Sequence, residues 1–262
     1  MLSDLQFSQI LTYVSNLNLE DPEKSLQLAL FHRNRSRARN RDTRTEEFWL
    51  GPKFKNWSTT RESSLIMIQG TFAARAQIKD FLVSMIEFVR DAEAPILWAV
   101  KPTQEAKAKV SVVDILKYLT SQALRLRKSI PESTARNVCA RFQTAVSEAE
   151  WVELLAASLV DLPQLYIVVD VELLSTKMQP LAGSMTLPAV FWSLFQHLQK
   201  MPDSPPVKVV LVSYGSIMFH EVEDEKRHLI LLIRGSTKRP GPRTQGKTRP
   251  LRMAVSVAGR II

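Results

Sequence analysis

Apolar residues are clustered along the chain in short runs that show almost no alternation with polar residues. Such runs are typical of central strands in a parallel sheet, because helices cover both faces of each strand. The pattern therefore predicts a mainly parallel sheet with a buried centre. The predicted strands are residues 64–69, 95–100, 164–170, 207–213 and 228–233.

Segments with helical spacing separate these runs. Their apolar residues recur three or four positions apart, which is the periodicity of an amphipathic helix. The positions are Ile78, Phe81, Leu82, Met85 and Val89 in one segment, Val112, Leu116, Leu119, Ala123 and Leu126 in a second, and Val190, Phe191, Leu194, Phe195 and Leu198 in a third. Residues 131–161 are expected to add two helices without a strand between them. Strands that alternate with helices predict an α/β fold, a three-layer sandwich with a mainly parallel five-stranded sheet.

The N-terminal part of the chain has a different character. Residues 3–30 have helical spacing, with Ser3 as a candidate cap and a second start at Asp21-Pro22-Glu23. Residues 32–45 contain many arginines and almost no apolar residue. Such a composition cannot bury itself, so it predicts an exposed linker or an irregular segment. The helical lead-in and this linker together occupy residues 1–45.

The C-terminal part is rich in Gly, Pro, Arg and Lys after residue 234. This composition predicts a mobile, disordered and basic tail. We therefore expect the α/β domain over residues 46–235 and the tail over residues 236–262.

The composition suits a globular protein. With 262 residues, of which 45% are hydrophobic, the chain can form a sizeable core. The sequence shows neither a signal peptide nor the run of about 18 apolar residues that a membrane helix needs, so we expect a cytoplasmic protein without membrane contact. The single cysteine, Cys139, cannot form an internal disulfide and fits a helix-packing thiol. The four histidines are widely scattered, so they give no metal-ligand spacing.

The net charge of +9 is concentrated in two segments. The first contains Arg33, Arg35, Arg37, Arg39, Arg41 and Arg44. The second contains Lys238, Arg239, Arg243, Lys247, Arg249, Arg252 and Arg260. Alternating arginines can follow a phosphate backbone and give a salt-dependent, mostly unspecific affinity. Binding of RNA, DNA or an acidic protein is therefore an alternative function, although no aromatic residue lies among the first set to stack on bases. A solvated linker or a nuclear-import signal is the simpler explanation.

The first predicted strand is followed by a glycine and a helix, which is the element order of a P-loop. In such a loop, backbone N–H groups and a helix N-terminus surround phosphate, a lysine adds charge, and a Ser or Thr hydroxyl binds Mg²⁺. Gly70 matches the first glycine of the motif Gly-x-x-x-x-Gly-Lys-Ser/Thr. Arg75, Ala76 and Gln77 then stand where the second glycine, the lysine and the hydroxyl residue belong. Losing the lysine contact alone would weaken nucleotide affinity about tenfold to a hundredfold, although Arg75 is a candidate substitute. The alternative is a purely structural turn.

The third predicted strand ends in an acid, Asp170. In P-loop proteins such an aspartate holds the Mg²⁺ shell, and a nearby glutamate polarises the attacking water. Glu172 is two positions further on, but leucines occupy the next two, where further acids would be expected. Ser213 ends the fourth strand, where a polar residue can sense phosphate. The alternative is that Asp170 only caps the next turn. The candidate nucleotide-binding residues are Gly70, Thr71, Arg75, Asp170, Glu172 and Ser213, and Asp170 is a metal ligand only if Mg-ATP binds.

A complete-looking Walker A string occurs near the C-terminus, at Gly241–Thr248. A functional string comes almost directly after its strand and opens a long helix. Here about seven residues separate the last predicted strand from Gly241, Pro250 would interrupt a helix that began at the string, and fourteen residues remain after Thr248. We therefore expect a chance match within the basic tail.

At these positions the chain resembles a known family. Residues 48–57, together with the Ser-rich turn and apolar strand of residues 63–70, are similar to the beginning of the P-loop domain in fungal NACHT-type STAND ATPases, where a Trp precedes such a turn. The positions of residues 96–100, Asp170 and Ser213 are similar to that family's second strand, Walker B strand and sensor strand. The resemblance covers about residues 45–235 and implies the strand order 5-1-4-3-2.

The sequence departs from this family in its catalytic motifs. The Walker A lysine and hydroxyl are missing, the acids after Asp170 are reduced, and Tyr214-Gly215-Ser216 replaces the usual Ser/Thr-Arg-Pro ending. The resemblance therefore implies a degenerate STAND-like, NLR-like domain without ATPase activity or cofactor. Such a domain would act as a regulatory or protein-interaction module in a signalling or immune-type pathway. A weakly active ATP-binding protein that uses Arg75 or Lys247 is the remaining alternative.

Overall fold

A computed structural model of the chain contains a parallel β-sheet of five strands. The structure describes residues 12, 19–39, 48–101, 110–126, 140–174, 185–214 and 229–233. The strands are β1 (Ser64–Gly70), β2 (Ile96–Ala99), β3 (Leu165–Asp170), β4 (Val207–Ser213) and β5 (Ile230–Ile233). All five predicted strands are confirmed, each as a run that is buried on both faces or, in β5, partly buried.

The strands lie in the order β2-β3-β4-β1-β5, and every neighbouring pair is parallel. Counted from β5, this is the order 5-1-4-3-2 that the family resemblance implies. The ladder places Gln69 opposite Ser213, and Asp170 opposite Val212. The ends of β1, β3 and β4 therefore meet at one edge, called here the carboxyl edge of the sheet.

The helices are α1 (Pro22–Arg39), α2 (Pro52–Thr59), α3 (Arg75–Asp91), α4 (Val112–Leu126), α5 (Glu148–Leu159) and α6 (Leu187–Gln199). The three segments of helical spacing are confirmed as α3, α4 and α6. Residues 140–144 are also helical, so both the helices expected within residues 131–161 are represented in the described part of that range. Short 3-10 turns lie at Phe48–Leu50, Phe72–Ala74 and Val171–Leu173.

Helices cover both faces of the sheet and enclose two hydrophobic cores. Successive residues of a strand point to opposite faces, so Leu65 and Met67 lie in one core and Ile66 and Ile68 in the other. Helices α4, α5 and α6 pack in the first core, and α1, α2 and α3 pack in the second. The three layers of the predicted sandwich are therefore present.

The arginine-rich segment is helical up to Arg39, so the expectation of an irregular segment from residue 32 is wrong for that part. The reason is electrostatic, because α1 packs against acids of α3. Arg33 pairs with Glu87, and Arg37 donates to both carboxylate oxygens of Asp80 at 2.7 and 2.8 Å. Residues 40–45 lie outside the described residues, as do Cys139, the string at residues 241–248 and the predicted tail.

A buried lysine joins elements at the opposite, amino edge of the sheet. Lys208 of β4 is 0% exposed, and its Nζ donates to the carbonyl oxygens of Trp57 (3.1 Å) and Glu62 (3.0 Å) and to Ser64 Oγ (2.9 Å). Burial lowers the pKa of Lys208 to about 8. The side chain thus ties the connection between α2 and β1 to the neighbouring strand.

The outer side of β2 is covered by a side-chain amide. Trp98 donates its backbone N–H to Gln122 Oε1 at 3.0 Å, and Gln122 Nε2 donates to the Trp98 carbonyl oxygen at 2.9 Å. This paired contact, called here the Gln122 clasp, satisfies two backbone groups that have no strand of the described residues beside them.

Replacing Gln122 by leucine is expected to lower the free energy of unfolding by about 1–3 kcal/mol, because the Trp98 N–H and carbonyl would remain buried without partners. Urea denaturation monitored by tryptophan fluorescence measures the change. Gln196→Leu, at an exposed position of α6, is the matched control and should change stability by less than about 0.5 kcal/mol. Equal stability of the two variants would contradict a structural role for the clasp.

Candidate functional site

A tight turn connects β1 to α3 at the carboxyl edge. A Cβ atom on Gly70 would lie 2.4 Å from Ile78 Cδ1 and 3.3 Å from the Ile233 carbonyl oxygen, so a larger residue there would require the Ile78 side chain to move. The Ala74 N–H donates to the Thr71 carbonyl oxygen at 2.8 Å, and the Arg75 N–H donates to that of Phe72. Gly70 therefore serves helix packing, and these two backbone N–H groups are bonded within the turn.

Asp170 is fully buried at the end of β3. Its Oδ2 accepts a hydrogen bond from the Tyr214 hydroxyl at 2.6 Å, and its Oδ1 accepts one from the Glu172 backbone N–H at 3.1 Å. Burial raises the pKa of Asp170 to about 6, although Lys79 and the hydrogen bonds oppose this rise. The carboxylate thus caps the turn after β3, as the simpler interpretation expected, and also holds the Tyr214 hydroxyl.

Glu172 joins the ends of β3 and β4. Its Oε1 accepts hydrogen bonds from Ser213 Oγ at 3.0 Å and from the Tyr214 backbone N–H at 3.2 Å. All these residues are buried. Asp170, Glu172, Ser213 and Tyr214 therefore form one internal network, called here the acid–tyrosine network.

Two basic residues of α3 lie over the ring of Tyr214. The distances to the ring centroid are 5.4 Å from Lys79 Nζ and 5.6 Å from Arg75 Cζ, both within the range of cation–π attraction. Burial lowers the pKa of Lys79, while the charge of Asp170 acts in the opposite direction. Burial also raises the pKa of the Tyr214 hydroxyl, and the nearby Asp170 adds to the rise. Positive charges thus stand on one side of the ring and a buried acid at its hydroxyl.

The candidate residues from the sequence meet at this edge, but not around an open loop. Asp170, Glu172 and Ser213 contact one another through the acid–tyrosine network, and Arg75 reaches that network through the Tyr214 ring. Gly70 and Thr71 form the start of the turn that leads to Arg75. The sequence pattern placed these groups correctly along the strands but did not indicate that their polar atoms bind each other.

Two participants were missed from the sequence. Lys79 lies one helical turn after Arg75, on the same face of α3 as the buried residues Val83 and Ile86. A lysine at helical spacing from buried apolar residues was therefore the signal that the sequence offered. Tyr214 was noted only as a departure from a family motif. No spacing rule links its hydroxyl to an acid that lies 44 positions earlier in the chain.

The polar atoms at this edge are bonded to one another. Both oxygens of Asp170 are buried and already accept hydrogen bonds, and the Ser213 hydroxyl is bonded to Glu172. Among the described residues, no group of three His, Cys, Asp or Glu side chains is arranged to hold a metal ion.

No family model, no curated protein and no solved structure matches the chain. In the part of the chain that the structure describes, no helix is long and apolar enough to cross a membrane. The role of the carboxyl edge is therefore inferred from its own residues and contacts.

Proposed function

We propose that this protein is a degenerate P-loop-like domain that acts as a non-catalytic regulatory or protein-interaction module. The observation that carries the proposal is the buried 2.6 Å hydrogen bond from the Tyr214 hydroxyl to Asp170 Oδ2. Asp170 is the acid that would hold Mg²⁺ in an active relative. In this chain a side chain of the protein itself occupies that oxygen.

The turn after β1 supports the same proposal. A working P-loop presents consecutive backbone N–H groups to phosphate, and a lysine adds a positive charge. Here the N–H groups of Ala74 and Arg75 bond within the turn, and the exposed Ala76 stands at the lysine position. Phosphate binding at the turn would therefore require its backbone to rearrange.

The strand order supports descent from an ancestral P-loop fold, with which the sequence resemblance to STAND ATPases agrees. In such a protein the fold persists because strand and helix packing do not depend on the catalytic groups. A role in signalling or immune-type pathways belongs to the same proposal, since that resemblance implies it.

Nucleic-acid binding, the alternative function, was predicted from arginines, two of which are engaged within the domain. Arg33 and Arg37 are bonded to acids and to Ser84 of α3, so these two guanidinium groups are engaged within the domain. Arg35 is exposed, and the side chains of Arg39, Arg41, Arg44 and the basic residues after residue 234 lie outside the described part of the chain. The ion pairs therefore favour a structural role for this part of the arginine-rich segment.

Titration with a fluorescent ATP analogue and Mg²⁺ tests the proposal. We expect no saturable binding below about 100 µM, because the lost contacts and the occupied acid each lower nucleotide affinity. Fluorescence anisotropy measures the binding, with Asp170→Ala and the exposed Asp91→Ala as paired variants.

Tight binding that Asp170→Ala abolishes and Asp91→Ala retains would overturn the proposal. If binding were tight and Lys247→Ala abolished it instead, the string at residues 241–248 would be the nucleotide site, and the proposal would fail in a different way.

A further inference from the structure

An exposed aromatic residue lies beside the acid–tyrosine network. Phe72, in the turn between β1 and α3, is 72% exposed. The guanidinium carbon of Arg75 lies 5.6 Å from the centre of the Phe72 ring and 5.6 Å from that of Tyr214. Contact with two rings restricts the conformations of the Arg75 side chain before any partner arrives.

Both cations and acids lie close to Lys79, the second basic residue over the Tyr214 ring. Arg75 and Lys101 both act to lower the pKa of Lys79, so each of these two cations repels the Lys79 charge. Within the described residues Arg75 forms no ion pair, and Lys79 Nζ is buried without a hydrogen-bond partner. The two acids that act on the pKa of Lys79, Asp170 and Glu172, are buried and bonded to Tyr214 and Ser213. A negatively charged group from outside would therefore relieve repulsion at this surface.

We propose that Phe72 and Arg75, called here the Phe72–Arg75 patch, bind an acidic and partly apolar segment of a partner protein, and that the buried Nζ of Lys79 adds positive charge behind them. The inference rests on the proposed function as an interaction module and names the chemistry of the partner. Arginine and aromatic side chains dominate the energy of protein interfaces, and an arginine can bind a carboxylate through two parallel hydrogen bonds. An arginine that is already oriented loses less conformational entropy on binding.

The composition of the patch favours a protein over a nucleic acid. A nucleic-acid strand is usually bound by a row of cations with several stacking aromatics. Among the described residues, the cations here lie at the beginning of α3 and two positions after β2, beside one strongly exposed ring. An apolar side chain that contacts Phe72, next to a carboxylate that contacts Arg75, matches this arrangement.

Fluorescence anisotropy with labelled synthetic peptides tests the proposal on the full chain. The probe is a peptide of alternating glutamate and leucine, and the comparison peptides alternate lysine with leucine and glutamate with serine. We expect binding of the glutamate–leucine peptide, with clearly weaker binding of both others. Phe72→Ala and Arg75→Ala should each weaken binding about tenfold or more, since both remove a hot-spot side chain.

The control variants are Phe31→Ala and Arg35→Ala, which remove an exposed aromatic and an exposed arginine from α1. They should leave the affinity unchanged, and urea denaturation of all four variants checks that each one is folded. The proposal is overturned if the wild-type chain does not bind the glutamate–leucine peptide, or if the control variants weaken binding as much as Phe72→Ala and Arg75→Ala. It is also overturned if a single-stranded oligonucleotide binds more tightly and loses affinity with Arg75→Ala.

The same samples, titrated with the ATP analogue and Mg²⁺, separate this inference from the proposed function. Absence of both peptide and nucleotide binding would refute the patch while leaving the non-catalytic domain intact. Tight nucleotide binding that depends on Asp170 would refute the proposed function itself.

Discussion

Replacing Asp170 by asparagine is expected to raise the free energy of unfolding at neutral pH by up to about 3 kcal/mol. The pKa of this buried carboxyl rises from 3.8 to about 6 in the folded protein, and each pKa unit corresponds to about 1.4 kcal/mol. The ionised carboxylate therefore destabilises the fold. Asparagine has no charge to bury, and its amide oxygen can still accept the Glu172 N–H that Asp170 Oδ1 accepts now.

The pH dependence has a definite sign. The folded protein holds the Asp170 proton more tightly than the unfolded chain, so the stabilisation from the protonated acid is complete below about pH 4. It is lost as the pH rises through about 6. The charged groups that face this carboxyl are Lys79 of α3 and Glu172 of the turn after β3, and the Tyr214 hydroxyl donates to it.

Urea denaturation at about pH 4 and about pH 7.5 measures both effects. The difference in stability between Asp170→Asn and the wild-type protein should be small at the lower pH and large at the higher. Asp91→Asn, an exposed acid at the end of α3, should show neither change. If Asp170→Asn were less stable than the wild-type protein at about pH 7.5, the buried charge would be stabilising and the expectation wrong.

Replacing Lys208 by alanine is expected to lower the free energy of unfolding by about 3–5 kcal/mol. The change empties the volume of a fully buried side chain and leaves the carbonyl oxygens of Trp57 and Glu62 and the hydroxyl of Ser64 without their donor. Chemical denaturation measures the loss. Lys55→Ala, at an exposed position of α2, should change stability by less than about 0.5 kcal/mol.

Lys208→Met separates the two causes, because it retains most of the side-chain volume but none of the donors. It should therefore be more stable than Lys208→Ala. The lowered pKa of Lys208 adds a second signature: the folded protein releases this proton before the unfolded chain does, so its contribution to stability rises between about pH 8 and about pH 10.5. That contribution should be missing from Lys208→Met, and an identical rise in the variant would show that another group causes it.

The strands and the main helices could be predicted from the sequence because each one has a local pattern of apolar and polar residues. A run such as residues 207–213 stays apolar on both faces since helices cover both sides of β4. Even the buried Lys208 did not disturb that prediction. Hydrophobic spacing alone likewise predicted α3, α4 and α6.

The arginine-rich segment and the carboxyl edge were harder, because both depend on contacts between distant residues. Composition predicted an irregular linker. However, Arg33 and Arg37 form ion pairs with acids of α3 that lie more than 40 positions later in the chain. The hydrogen bond between Asp170 and Tyr214 also joins residues that local patterns do not connect. Motif matching could identify Gly70 and Asp170 as landmarks, but not that packing fills the space around them.

The Gln122 clasp is also expected to limit association between folded molecules. An uncovered outer strand is a template on which another chain can pair, and such pairing leads to aggregation. Because the Trp98 amide and carbonyl are both bonded to one glutamine, the β2 side of the sheet offers a poor template to a neighbouring molecule. Loss of Gln122 is therefore expected to increase aggregation and lower solubility, in addition to lowering the midpoint of unfolding.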